Sequence, residues 1–76
     1  MKLKVECSEN HRGEAEPRAF YLKARRIMVV EIIDRWLSPN YCYFKIITDD
    51  GGIYILRYEA PCKRWDLTLF QAASLR

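Results

Sequence analysis

The chain has 76 residues, half of them hydrophobic and 13% aromatic, with 13 Lys and Arg against 10 Asp and Glu. That length allows one small domain, spanning 1–76, which buries only ~60% of its unfolded surface, and the composition excludes disorder. A net charge of +3 is a mild bias that many ordinary domains share, so it favours polyanionic partners only weakly.

Leu3 to Cys7 alternates apolar and polar residues and reads as a first strand with Leu3, Val5 and Cys7 facing inward. Residues 8–17, SENHRGEAEP, are polar with Gly13 and Pro17 and read as a long loop. Residues 18–22 form a second strand with Phe20 and Leu22 on one face. Lys23, Ala24, Arg25 and Arg26 then make a turn without Gly, Asn or Asp. The longest apolar segment is 27–36, IMVVEIIDRW. Helix is the rival reading there, but Ile27, Val29, Val30, Ile32 and Ile33 favour strand. Its apolar residues fall on both parities, which a bulge near Val30 and Glu31 reconciles. Ser38, Pro39 and Asn40 close it as a turn.

Residues 41–58, YCYFKIITDDGGIYILRY, hold the strongest hairpin signal: two β-branched and aromatic runs around Asp49, Asp50, Gly51 and Gly52. A two-residue turn at Asp50 and Gly51 puts Phe44 opposite Arg57 and mixes the faces. A three-residue loop, with Gly51 in the left-handed region as a bulge, pairs Ile46 with Tyr54, Phe44 with Leu56 and Cys42 with Tyr58. That face is wholly apolar, so this register is expected. Its opposite side carries Tyr43, Lys45, Ile47, Ile53, Ile55 and Arg57. After a turn at 59–63, Trp65, Leu67 and Leu69 alternate with Arg64, Asp66 and Thr68 as a last strand, and 71–76 is a flexible or short helical tail. The fold class expected is all-β: an antiparallel meander of about six strands, forming a partly open SH3-like barrel or a strongly bent sheet.

Together, Asp34-Arg35-Trp36, Tyr43-Phe44-Lys45, Asp49-Asp50-Gly51, Tyr54-Ile55-Leu56-Arg57 and Trp65-Asp66-Leu67 resemble a family of short bacterial cytoplasmic proteins of unknown function. The resemblance spans about residues 2–70 and departs at Lys23-Ala24-Arg25, where a Gly-containing turn belongs. It implies a bacterial, cytoplasmic, single-domain protein and brings no activity with it.

The three cysteines Cys7, Cys42 and Cys62 suggest no disulfide framework. The opening MKLKVECSEN has no apolar signal-peptide core. The apolar runs reach only about four residues against the ~20 of a spanning helix, so a soluble protein of a reducing cytoplasm, without a membrane partner, is expected. Catalytic chemistry finds little purchase. His11 is the one histidine, set in a polar loop where nothing positions it for a cysteine nucleophile. Glu31 and Asp34 could pair as acid and base but suit a solvent face with Arg35, Arg57 or Arg64 nearby. Cys7, His11, Cys42 and Cys62 could in principle form a zinc shell, but the short cysteine spacing of a zinc knuckle is missing. No catalytic, cofactor or metal residue is expected, and a domain this small rarely encloses a cavity of ~300 Å³ or more.

Binding is therefore the expected role. Tyr43 with Ile47, Ile53 and Ile55 would be too apolar for a free surface, and they mark a protein interface or a homo-oligomer seam unless another part of the chain covers them. The alternative is weak single-stranded nucleic-acid binding over Tyr43, Lys45 and Arg57, extended by Arg25 and Arg26. The low net charge and the absence of an RNP-type motif count against it.

Overall fold

The computed structural model describes residues 2–59 and 63–71. The turn expected around Pro61, Cys62 and positions 72–76 of the expected tail lie outside the described residues. Six antiparallel strands, β1 (Lys2–Glu9), β2 (Ala15–Leu22), β3 (Arg25–Ser38), β4 (Tyr41–Thr48), β5 (Ile53–Glu59) and β6 (Arg64–Gln71), form a meander closed into a barrel in sequence order. Of the two architectures expected, the barrel is the one found, closed rather than partly open. Among the described residues closure is narrow, with β1 meeting β6 through Lys2↔Asp66 and Leu3↔Trp65.

The hairpin follows the expected register: Ile46↔Tyr54, Phe44↔Leu56 and Cys42↔Tyr58 inside, Tyr43↔Arg57, Lys45↔Ile55 and Ile47↔Ile53 outside. Gly51 takes φ 80° and donates its N–H to Thr48 O at 2.9 Å, while Thr48 N–H reaches Gly52 O at 3.1 Å. This is a three-residue loop with a bulge at Gly51, a conformation open to glycine without steric cost. Asp50 completes it. Its carboxylate accepts from the Thr48 hydroxyl, from Gly52 N–H at 3.0 Å and from the Tyr54 hydroxyl at 3.1 Å.

The inward row of β4 and β5 makes the core. Phe44, Ile46, Tyr54 and Leu56 are fully buried with Phe20, Ile27, Leu3 and Trp65. Phe20 and Tyr54 meet edge-on with centroids 5.0 Å apart, and Trp65 lies against Tyr58 at 4.6 Å and Phe44 at 5.5 Å. Burying each aromatic contributes ~2–3 kcal/mol and fills a lumen that six strands would otherwise leave open.

Several expectations need correction. The segment 8–17 is not a long loop: β1 runs through Glu9 and β2 begins at Ala15. The connection is a compact turn held by Asn10, whose Oδ1 accepts from Arg12 N–H at 2.9 Å and Glu14 N–H at 3.0 Å. Such side-chain turns leave no periodic trace in a sequence. Pro17 lies inside β2, beside an irregularity between Glu6 and Cys7 that lets the ladder dispense with its missing N–H. Cys7, at this irregularity, is exposed rather than a core residue. The turn after β2 is only Lys23 and Ala24. Lys23 takes φ 57°, and Arg25 and Arg26 already belong to β3. Gln71 is the end of β6, not part of a tail. A bulge at Thr68, whose hydroxyl donates to Ile55 O at 3.0 Å, breaks the alternation expected through Leu69.

β3 is the element that shapes the surface. It pairs with β2 only over Arg25–Met28 and with β4 from Val29 to Ser38. The expected bulge at Val30 is present, and a second one follows at Ile33. Beyond Met28 the β2 and β3 strands part, leaving a seam in the barrel wall. Arg35 spans it, donating to Glu16 at 2.5 Å and to Glu14 at 3.1 Å.

Candidate interaction surface

With Ile27 inward, alternation alone already places Met28, Val30, Ile32 and Trp36 outward, and the two bulges exchange Ile32 for Ile33. Ile27, Val29 and Ile32 pack on the core, while Met28, Val30, Ile33 and Trp36 stay 41%, 65%, 40% and 38% exposed. Together they offer on the order of 300–400 Å² of mostly apolar side chain, comparable to the largest such patch on a typical monomer. This stripe is the part of the surface that the sequence reading missed. Its signal was present: apolar residues on both parities require a bulge, and the residue inserted by a bulge is left outside the ladder.

β4 and β5 continue the stripe. Trp36 lies opposite Tyr43, their rings stacked at 5.4 Å and 2° from parallel. Tyr41 leans on Tyr43 at 6.2 Å, and the Arg57 guanidinium sits 4.5 Å above the Tyr41 ring. Ile47, Ile53 and Ile55 are half-buried. The proposed interface set Tyr43, Ile47, Ile53 and Ile55 is thus one continuous sheet face, with its most accessible apolar edge on β3.

The nucleic-acid set does not converge in the same way. Tyr43, Lys45 and Arg57 share the outer face, but Arg25 and Arg26 begin β3 at the barrel end far from Trp36. Arg26 is held by Glu6 at 2.7 Å, and Tyr21 donates to the same carboxylate at 2.7 Å. The Arg26 and Tyr21 hydrogen bonds together hold the Glu6 carboxyl down at about 2. Arg57 is tied to Asp66 at 3.2 Å, which raises its pKa further above the ordinary arginine value. Of the five residues, Lys45 and Arg25 have no ion pair among the described residues.

For catalysis the barrel offers little activation. Burial pushes the Cys42 thiol up, away from thiolate. Glu16, in the β2–β3 seam near Asp34, is held below the usual carboxylate range mainly by its hydrogen bond from Arg35, so it stays ionised. No three His, Cys, Asp or Glu side chains come together as a metal shell among the described residues, and Cys62 lies outside them. Among the described residues, no helix is long and apolar enough to cross a membrane. Comparisons with protein-family models, curated proteins and solved structures give no match to the chain.

Proposed function

We propose that the domain is a non-enzymatic protein-interaction module, with a second copy of the same chain as the first partner to test. The observation that carries this reading is the run of Met28, Val30, Ile33 and Trp36 exposed along one strand and continued by Tyr43 and Ile47. Aromatic and aliphatic groups at the centre, with Glu31, Asp34, Lys45 and Arg57 around them, match the composition of interfaces, where charge is depleted at the core and kept at the rim. The exposed part covers about half of the ~800 Å² per partner of a standard interface, so half-buried Tyr43, Ile47, Ile53 and Ile55 would complete it. A bacterial, cytoplasmic setting belongs to the same proposal and rests on the family resemblance and on the free thiols Cys7 and Cys42.

Analytical ultracentrifugation of the chain and of a Val30→Lys/Ile33→Lys variant tests the reading. Both positions are exposed, so the variant should fold with stability changed by less than about 1 kcal/mol. A concentration-dependent dimer that the variant loses supports a second copy. Without a dimer, a partner captured by the parent and lost by the variant supports the broader reading. A chain that stays monomeric at about 1 mM and captures the same proteins as its variant overturns both.

Single-stranded nucleic acid is the competing reading, favoured by the stacked Trp36 and Tyr43 beside Lys45. It is weakened by the ion pairing of Arg26 and Arg57.

A further inference from the structure

Among the described residues, the end of the barrel that carries the β1–β2 turn and the β3–β4 turn holds a recess. The row Leu37↔Cys42↔Tyr58 lines it, and Phe44 forms its floor. The recess is about 450 Å³ and runs into a groove of about 310 Å³ beside Pro39 and Tyr41. These volumes lie in the range of small-molecule sites, although a chain of this length is not expected to provide one. Two features show that the recess is more than a frayed end. Its floor is rigid, since Phe44 is 1% exposed and both Phe44 and Tyr58 pack on buried Trp65. Its wall is apolar where water would be expected to favour polar residues: Leu37, on the same row as Cys42 and Tyr58, is 76% exposed.

The charge at the rim is specific. Glu14 and Arg35 face the recess, but Arg35 is neutralised by Glu14 and Glu16. Arg12 also lines it and has no ion pair among the described residues. The mouth therefore combines an apolar cup with one unmatched positive charge.

We propose that this mouth binds a small free amphiphile, an apolar or aromatic body carrying a single carboxylate, with the body against Leu37, Cys42 and Tyr58 and the carboxylate toward Arg12. This site is separate from the proposed protein interface, apart from Trp36 and Tyr41 at the boundary between them. Decanoate is a suitable probe and decanol its uncharged control, with binding read by calorimetry and by tryptophan fluorescence on the full chain. Saturable one-to-one decanoate binding is expected below about 1 mM, with decanol about tenfold weaker. Arg12→Glu should weaken decanoate about tenfold and leave decanol unchanged. Leu37→Glu, at an exposed position that will not compromise folding, should abolish binding of both.

Absence of saturable binding would overturn the proposal, as would equal affinity for decanoate in the parent and in Leu37→Glu. An equal loss in Val30→Lys/Ile33→Lys would also overturn it, since that outcome means adsorption to the outer stripe. The two proposals fail separately: the oligomer measurement reads the stripe, and Leu37→Glu reads the mouth.

Discussion

Asp49 and Asp50 are chemically identical neighbours in one loop, and the structure predicts that they differ several-fold in what they contribute to stability. Asp50 accepts from Thr48, Gly52 and Tyr54, and Thr48 and Tyr54 are each only 2% exposed. Both carboxylates are exposed, but Asp49 accepts one long hydrogen bond, from Met28 N–H at 3.4 Å. A hydrogen bond to a charged group contributes ~1.5–3 kcal/mol. Allowing for overlap among three bonds to one carboxylate, Asp50→Ala should cost about 3–4 kcal/mol and Asp49→Ala less than about 1. A domain of this size has roughly 4–11 kcal/mol in total, so the first substitution should bring the chain near unfolding.

Urea denaturation followed by tryptophan fluorescence measures this directly. With a slope of ~1 kcal/mol per molar, the midpoint should fall by about 3 M for Asp50→Ala. Asp50→Asn keeps an acceptor for Gly52 N–H but loses the charge, and should fall between the two. The Asp50 carboxyl is held below its ordinary 3.8, first by the Thr48 hydroxyl. Its contribution is therefore complete above pH 3.8 and is lost as pH falls through the lower folded value, so Asp50→Ala should flatten the acid limb of the stability curve. Equal costs for Asp49→Ala and Asp50→Ala, or a cost under about 1 kcal/mol for the latter, would refute the reasoning.

Three further outcomes are expected. Burial first, and then the Asp50 contact, push the Tyr54 hydroxyl from 10 up to about 12. The folded state thus holds this proton more tightly, and on the order of 2–3 kcal/mol present below pH 10 should be lost as pH rises through 12; alkaline melts of Tyr54→Phe should lack that drop. Arg35→Lys should cost about 1–2 kcal/mol, nearly as much as Arg35→Ala, because an ammonium cannot hold Glu14 and Glu16 with one planar fork; chemical denaturation of the two variants checks it, and high salt should narrow their difference from the parent. Gly51→Val should cost about 1–3 kcal/mol at φ 80°, and Gly51→Asn under about 1, both measured by thermal unfolding.

The hairpin was legible in the sequence because two independent constraints agree there. Asp49, Asp50 and Gly51 supply turn chemistry, and only one register makes Cys42, Phe44 and Ile46 face apolar partners. The surrounding strands followed from β-branched density and alternation. What remained hidden depends on long-range geometry or on side-chain bonding. Both parities of 27–36 announce one bulge, but a second insertion at Ile33 restores the parity that the first had shifted, so it leaves no pattern of its own. Arg35 reads as a solvent-face residue beside Asp34. In the fold it lies opposite Phe44, its guanidinium 5.1 Å from the ring centroid, and spans to Glu14 and Glu16. The Asn10 turn depends on hydrogen bonds that hydrophobic periodicity cannot report. For the candidate site, the β4 and β5 contribution was visible as the outer hairpin face, whereas the place of Ile33 beside Met28, Val30 and Trp36 needed the observed bulges.

Those bulges bear on why the stripe is apolar at all. Among the described residues the buried core is Leu3, Phe20, Ile27, Phe44, Ile46, Tyr54, Leu56 and Trp65, and each buried aromatic there contributes ~2–3 kcal/mol. Val30 at 65% exposure keeps most of its surface in water, so it gains only a minor fraction of its transfer free energy on folding. Ile33, 40% exposed, buries the larger part of its surface. Glu31 and Asp34, the residues next to them, stand exposed on the same strand, so the backbone accepts polar residues there without difficulty. Folding therefore makes no demand for Val30 to be apolar. Edge protection makes none either, since the bulges and the Arg35 bridge already guard the open side of β3. The free energy of burying the Val30 side chain has yet to be gained when the monomer is folded, and contact with another apolar surface is the process that gains it.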